Sequence, residues 1–182
     1  MASRPRPAIA LLLATSAAVA LWRGPAAAQD RSLEYPVKAA FLYRFGSYVG
    51  WPASALPAGR SPVQVCVVGR DPFGEALDRV VQGQTLDGRP ITVRRLEVIG
   101  PESGCHIAYL GGSSEQSPAA AARAVADAPI LTVGEEPAAD GAVIQFVLKG
   151  ARVRFRIDLR AATHAGLGVS SKLLNIAVEV AR

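Results

Sequence analysis

At 182 residues, half of them hydrophobic and with a formal net charge of +5, the chain fits a single domain able to bury a substantial core. Much of the charge lies at the start: Arg4, Arg6 and Arg23 have no acid among them, and without the first 28 residues 17 basic groups face 15 acidic ones, a net +2. That near balance excludes a nucleic-acid binder argued from charge, and no later apolar run is long enough to span a membrane.

The opening residues carry the three parts of an export signal. Arg4 and Arg6 give a positive leader, Ala8 to Leu21 is an uncharged apolar run, and Ala26-Ala27-Ala28 offers the small residues a signal peptidase requires. Arg23-Gly24-Pro25 cuts the run short of the roughly 20 residues a membrane anchor needs. The expected organisation is therefore a signal peptide over 1–28 and one exported domain over 29–182, with Gln29 as the mature start. In that compartment Cys66 and Cys105 are expected to pair as a disulfide. Two buried thiols are the alternative.

From Pro36 to Tyr48, apolar residues recur at helical spacing through Val37, Ala40, Phe41, Leu42, Phe45, Tyr48 and Val49, with Pro36 suited to a first turn. Trp51-Pro52 closes this helix. Val63 to Val68 is a nearly continuous apolar run, the pattern of a strand buried on both faces. Asp71-Pro72 starts a helix over Phe73 to Val81, and the Asp87-Gly88 turn leads into a strand from Ile91 to Leu96. A second buried strand, His106 to Leu110, ends at Gly111-Gly112, and Ser117-Pro118 starts an alanine-rich helix to about Asp127. Ile130 to Val133 is a third buried strand. Ala142 to Leu148 and Arg152 to Leu159 read as a hairpin about Lys149-Gly150-Ala151. A closing helix is expected from about Ser170, with Leu173, Leu174, Ile176, Ala177 and Val180 facing the core. The sum is an α/β layered sandwich, a mostly parallel but mixed sheet flanked by helices, with a C-terminal hairpin and a closing helix.

Enzyme signatures are missing: no GxSxG elbow, phosphate-binding Walker loop or HExxH stands in the sequence. His106 and His164 are the only histidines, which leaves little for a triad or a three-histidine metal site. A metal set from Cys66, Cys105, His106 and His164 is disfavoured, because adjacent Cys105 and His106 would point to opposite faces of a strand. Neither a metal nor any other cofactor is expected, and no catalytic residue is assigned. Gly111-Gly112, and the Gly69-Arg70-Asp71-Pro72-Phe73-Gly74 segment one unit earlier, could each seat an anion, although turn geometry alone accounts for such glycines. Arg152, Arg154 and Arg156 alternate with Val153, Phe155 and Ile157 and so share one strand face. That face is either simply solvated or a positive strip for an acidic partner or anionic ligand.

Tyr35-Pro-Val-Lys-Ala-Ala-Phe-Leu-Tyr-Arg-Phe45, Trp51-Pro52, Val65-Cys-Val-Val-Gly-Arg-Asp-Pro-Phe-Gly74, Leu86-Asp-Gly-Arg-Pro-Ile91, Cys105-His106, Ile130-Leu-Thr-Val133 and Gly166-Leu-Gly-Val-Ser-Ser-Lys-Leu-Leu-Asn-Ile-Ala177 resemble, in this order, the YfiR family across the whole exported domain. The resemblance implies a periplasmic negative regulator. It would bind the periplasmic sensor domain of an inner-membrane diguanylate cyclase, or another membrane sensor protein, and hold cyclic di-GMP and biofilm formation down. A peptidoglycan-associated outer-membrane lipoprotein as sequestering partner, homodimerisation and a lack of catalytic residues are implied with it. Cys66 and Cys105 match one cysteine pair of that family's founding member; the second pair has no counterpart here. The other expectation is a periplasmic small-ligand-binding sensor module acting on a membrane signalling protein.

Overall fold

The computed structural model describes residues 26–182 except 57, 58 and 60, with side chains from Leu33 onward. The expected signal peptide lies outside the described residues, apart from the backbone of 26–28, where the first helix begins. Helix α1 (Ala26–Phe45) runs into a 3₁₀ turn (Gly46–Tyr48) and the short strand β1 (Val49–Gly50). Then come β2 (Val63–Gly69), α2 (Glu75–Val81), β3 (Thr85–Leu86), β4 (Arg89–Leu96), β5 (Ile107–Gly112), α3 (Pro118–Ala124) and β6 (Leu131–Glu135). The last third holds β7 (Ile144–Lys149), β8 (Arg152–Asp158), α4 (Leu159–His164), β9 (Gly168–Val169), α5 (Ser171–Leu174) and β10 (Glu179–Ala181).

One eight-stranded sheet takes the order β10-β8-β7-β6-β5-β2-β4-β3, while β1 and β9 pair separately. The neighbours from β4 to β7 run parallel, and the β7–β8 and β3–β4 pairs are antiparallel. This is the expected mixed sheet. Continuous apolar runs produce it because both faces must be covered. Val63, Val65 and Val67 of β2 join Leu42, Phe45 and Leu77 in one core, whereas Cys66 and Val68 join Ala121, Ala122 and Ile130 in a second core on the other face. Phe45 stacks edge-on to Phe155 at 4.9 Å between ring centroids, which fastens α1 across the β7–β8 hairpin.

The turn chemistry follows the sequence. Asp87 (φ +50°) and Gly88 (φ +77°) take the paired left-handed conformation a two-residue hairpin demands. The β7–β8 register, Lys149 opposite Arg152, leaves Gly150-Ala151 as the second such loop. Ser117 caps α3 by accepting from the Ala120 amide, and Asp158 caps α4 by accepting from Arg160 and Ala161.

Three expectations are corrected. Pro36 lies inside α1, not in its first turn. It is exposed, so the amide hydrogen it lacks costs little against water. Val37 and Tyr48, expected among the apolar set, are exposed, and Lys38 beside Val37 is buried instead. The closing helix starts as expected but lasts a single turn, α5. The chain then extends, with Val178 N–H bonded to Phe155 O, and adds β10 parallel to β8. Ile176 therefore stays exposed, and β-branched Val178 and Val180 suit the extended backbone better than a helix.

Candidate functional site

The side chains with most chemistry gather where β5 and β6 end, beneath α1. Helical spacing puts Glu34 and Lys38 one turn apart, and Lys38 reaches over the sheet edge to the last residue of β6. Its ammonium bonds Glu34 and lies 3.0 Å from Glu135 Oε1. The same oxygen accepts from the Tyr109 hydroxyl at 2.8 Å. The Tyr35 ring stands 4.8 Å from Nζ and the Phe146 ring 5.8 Å, so the charge is walled by aromatic faces.

Burial alone would pull the Lys38 pKa down, but the hydrogen bonds to Glu34 and Glu135 outweigh it and the net shift is upward. Burial, reinforced by the Glu135 charge, pushes the Tyr109 phenol well above its usual range. The arrangement thus holds a protonated ammonium and a neutral phenol. A lysine nucleophile needs the opposite shift, toward a neutral amine. The cluster is built to pin α1 to the sheet.

The glycine turns expected as possible anion seats are used by the backbone itself. Strands β2 and β5 flank the point where the strand order reverses, the usual crevice of open α/β sheets. Here Arg70 N–H bonds Gly112 O at 2.9 Å and closes it. A methyl group on Gly69 would stand 2.2 Å from Gly112 O, and one on Gly111 2.0 Å from Arg70 O. Both glycines are required by the close approach of the two strand ends. Asp71 is also engaged: it accepts from the Phe73 and Gly74 amides and from Arg95 Nε.

Cys66 and Cys105 form a disulfide, with 5.8 Å between Cα atoms, joining the middle of β2 to the segment entering β5. His106 lies against the loop after β1, with the Trp51 ring 6.2 Å from its own, and among the described residues it has no ion pair with a carboxylate. The Gln64 amide donates to its Nδ1 at 3.0 Å, so the proton sits on Nε2 and is given to Ala55 O at 3.1 Å. Burial, with the nearby Arg89 charge adding to it, holds this imidazole below its ordinary pKa against the effect of the Ala55 bond. His164 pairs with Asp127 at 2.8 Å, far from the cysteines in the sequence and on another element. No group of three or more metal-type ligands occurs among the described residues.

Arg152, Arg154 and Arg156 do share one face of β8, opposite core-facing Phe155 and Ile157. Arg156 is taken by Glu136, which leaves Arg152 and Arg154 exposed at the hairpin end. Sequence reasoning missed the Lys38–Glu135 pair, whose partners lie 97 positions apart; only the topology brings them together.

A family model described as YfiR/HmsC-like matches residues 35–178, which takes in everything from the Tyr35–Lys38 turn of α1 to the start of the closing strand. With a match of that extent over this mixed sheet, the chain belongs to the YfiR/HmsC-like family.

Proposed function

We propose that this protein is a periplasmic regulator that binds the periplasmic sensor domain of an inner-membrane diguanylate cyclase and holds it inactive, lowering cyclic di-GMP. Membership of the YfiR/HmsC-like family, over residues 35–178, carries the reading. The family is regulatory rather than catalytic, and it supports a periplasmic location for a chain that opens on an export signal. The positive strip left by Arg152 and Arg154 is our choice for the face that meets an acidic patch on the cyclase; a homodimer and a sequestering outer-membrane lipoprotein complete the scheme.

Deleting the gene should raise cyclic di-GMP and biofilm mass, and the tagged protein should co-purify with a cyclase from solubilised inner membrane. Unchanged cyclic di-GMP across envelope-stress conditions would remove the cyclase assignment. Charge reversal at Arg152 and Arg154 should reproduce the deletion while leaving the protein folded and abundant.

A further inference from the structure

Alanine faces alanine where α3 and α4 approach. Ala122 and Val125 on one side and Ala161 and Ala165 on the other meet above Ile130 and Val143, at the starts of β6 and β7. Small side chains on both helices cannot interdigitate, so an apolar cavity of about 210 Å³ remains. An engineered apolar cavity of about 150 Å³ is known to stay dry and to bind benzene, so this volume has room for a ring of that size with a substituent. The Thr132 hydroxyl among its lining residues is already engaged by the backbone, accepting from the Val143 amide at 3.0 Å.

The rim has a definite charge. Arg160 lines both the cavity and a neighbouring open surface pocket, its backbone fixed at the start of α4 by the Asp158 cap. Its guanidinium makes no hydrogen bond or ion pair among the described residues. In that neighbouring pocket, which Arg182 also lines, Asp127 is engaged by His164 at 2.8 Å, a contact that links the segment after α3 to α4. The apolar chamber is thus lined by an uncommitted arginine, Arg160.

We propose that this cavity is a binding site for a small monocarboxylate with a compact apolar body, on the scale of benzoate. The ring fills the space between Ala122 and Ala161, and the carboxylate pairs with Arg160, whose fork suits two parallel hydrogen bonds. The site uses no residue of the proposed partner face on β8, so either proposal can fail without the other. Ligand occupancy would tie α3 to α4 next to β10, which pairs with β8.

Amide NMR of the purified protein, titrated with benzoate and with its neutral isostere benzamide, tests this. Benzoate is expected to shift amides around Val125, Ile130 and Ala161 saturably. Benzamide should bind at least about tenfold more weakly, and Arg160→Ala should cost benzoate a similar factor. Ala161→Leu, which fills the chamber, should keep a dispersed spectrum and abolish the shifts. No saturable shift with benzoate overturns the proposal. So do equal affinity for benzamide, or full affinity in Arg160→Ala or in a folded Ala161→Leu protein.

Discussion

Lys38 Nζ lies 3.0 Å from Glu135 Oε1, joining a helix residue near the start of the domain to the end of a central strand. The lysine side chain is 2% exposed and Glu135 33%, so the pair sits at the boundary of the core. Losing one partner of a fully buried pair costs about 3–5 kcal/mol, and the partial exposure of Glu135 lowers this to about 2–3 kcal/mol. Lys38→Met keeps most of the stem but leaves Glu34 and Glu135 facing each other, and chemical denaturation should register that loss. Combining it with Glu34→Gln and Glu135→Gln should recover at least half, because no buried charge then lacks a partner. If the triple variant is no more stable than Lys38→Met, stem packing and not charge holds α1 in place.

The same cluster sets the alkaline limit of stability. Lys38 and Tyr109 both have folded-state pKa values above their ordinary ones. Above about pH 10 the unfolded chain releases these protons while the native state keeps them, so stability falls as pH rises from there and is fully present below. The midpoint of thermal unfolding should be flat from neutral pH to about pH 9.5 and then drop steeply. Tyr109→Phe should flatten that drop. An unchanged alkaline slope in this variant would assign the loss to other groups.

Acid acts through a different residue. His106 has a depressed pKa, so between its ordinary value and the folded one the unfolded chain binds a proton that the native chain refuses. Stability is therefore lost as pH falls from about 6.5, before most carboxylates titrate. Protonating Nδ1 also breaks the bond from the Gln64 amide. Imidazole NMR should show His106 titrating below the usual range, and His106→Asn should lack the stability loss between about pH 6.5 and pH 5. A His106 titration at or above the ordinary value would contradict the packing described around it.

How much of this was legible in the sequence depends on the range of the interaction. The two-faced strands, the Asp87-Gly88 turn and the helix start at Ser117 are local, and composition and spacing announce them. The Val37–Lys38 reversal is not local. Helical periodicity assigns the apolar residue to the core, but Glu135 and the Tyr35 and Phe146 rings make a better site for the ammonium than Val37 could fill. Strand β10 escaped for a similar reason, because the free edge of β8 decides the conformation of Val178 to Val180 and lies some twenty residues upstream. The alanine-rich run after Ser117 was readable as a helix; α4, and the chamber left where its small face opposes α3, were not.

The disulfide offers a prediction in which topology decides what is lost. Cys66 in β2 and Cys105, just before β5, are 39 positions apart, and the enclosed segment carries α2, β3 and β4. Cross-linking restricts only those states in which β2 and β5 have parted, since opening of the enclosed edge alone leaves both cysteines in place. Replacing both by alanine should lower global stability by up to ~4 kcal/mol. Amides of β2, β5 and β6, which exchange through global unfolding, should exchange faster by the corresponding factor. Amides of β3 and β4 that exchange through local opening of that edge should keep their rates. Equal acceleration of both sets would mean that the bridge also holds the edge unit in the native state. Unchanged global stability would mean that packing around Cys66 and Cys105, and not the link, supplies the strength of this part of the sheet.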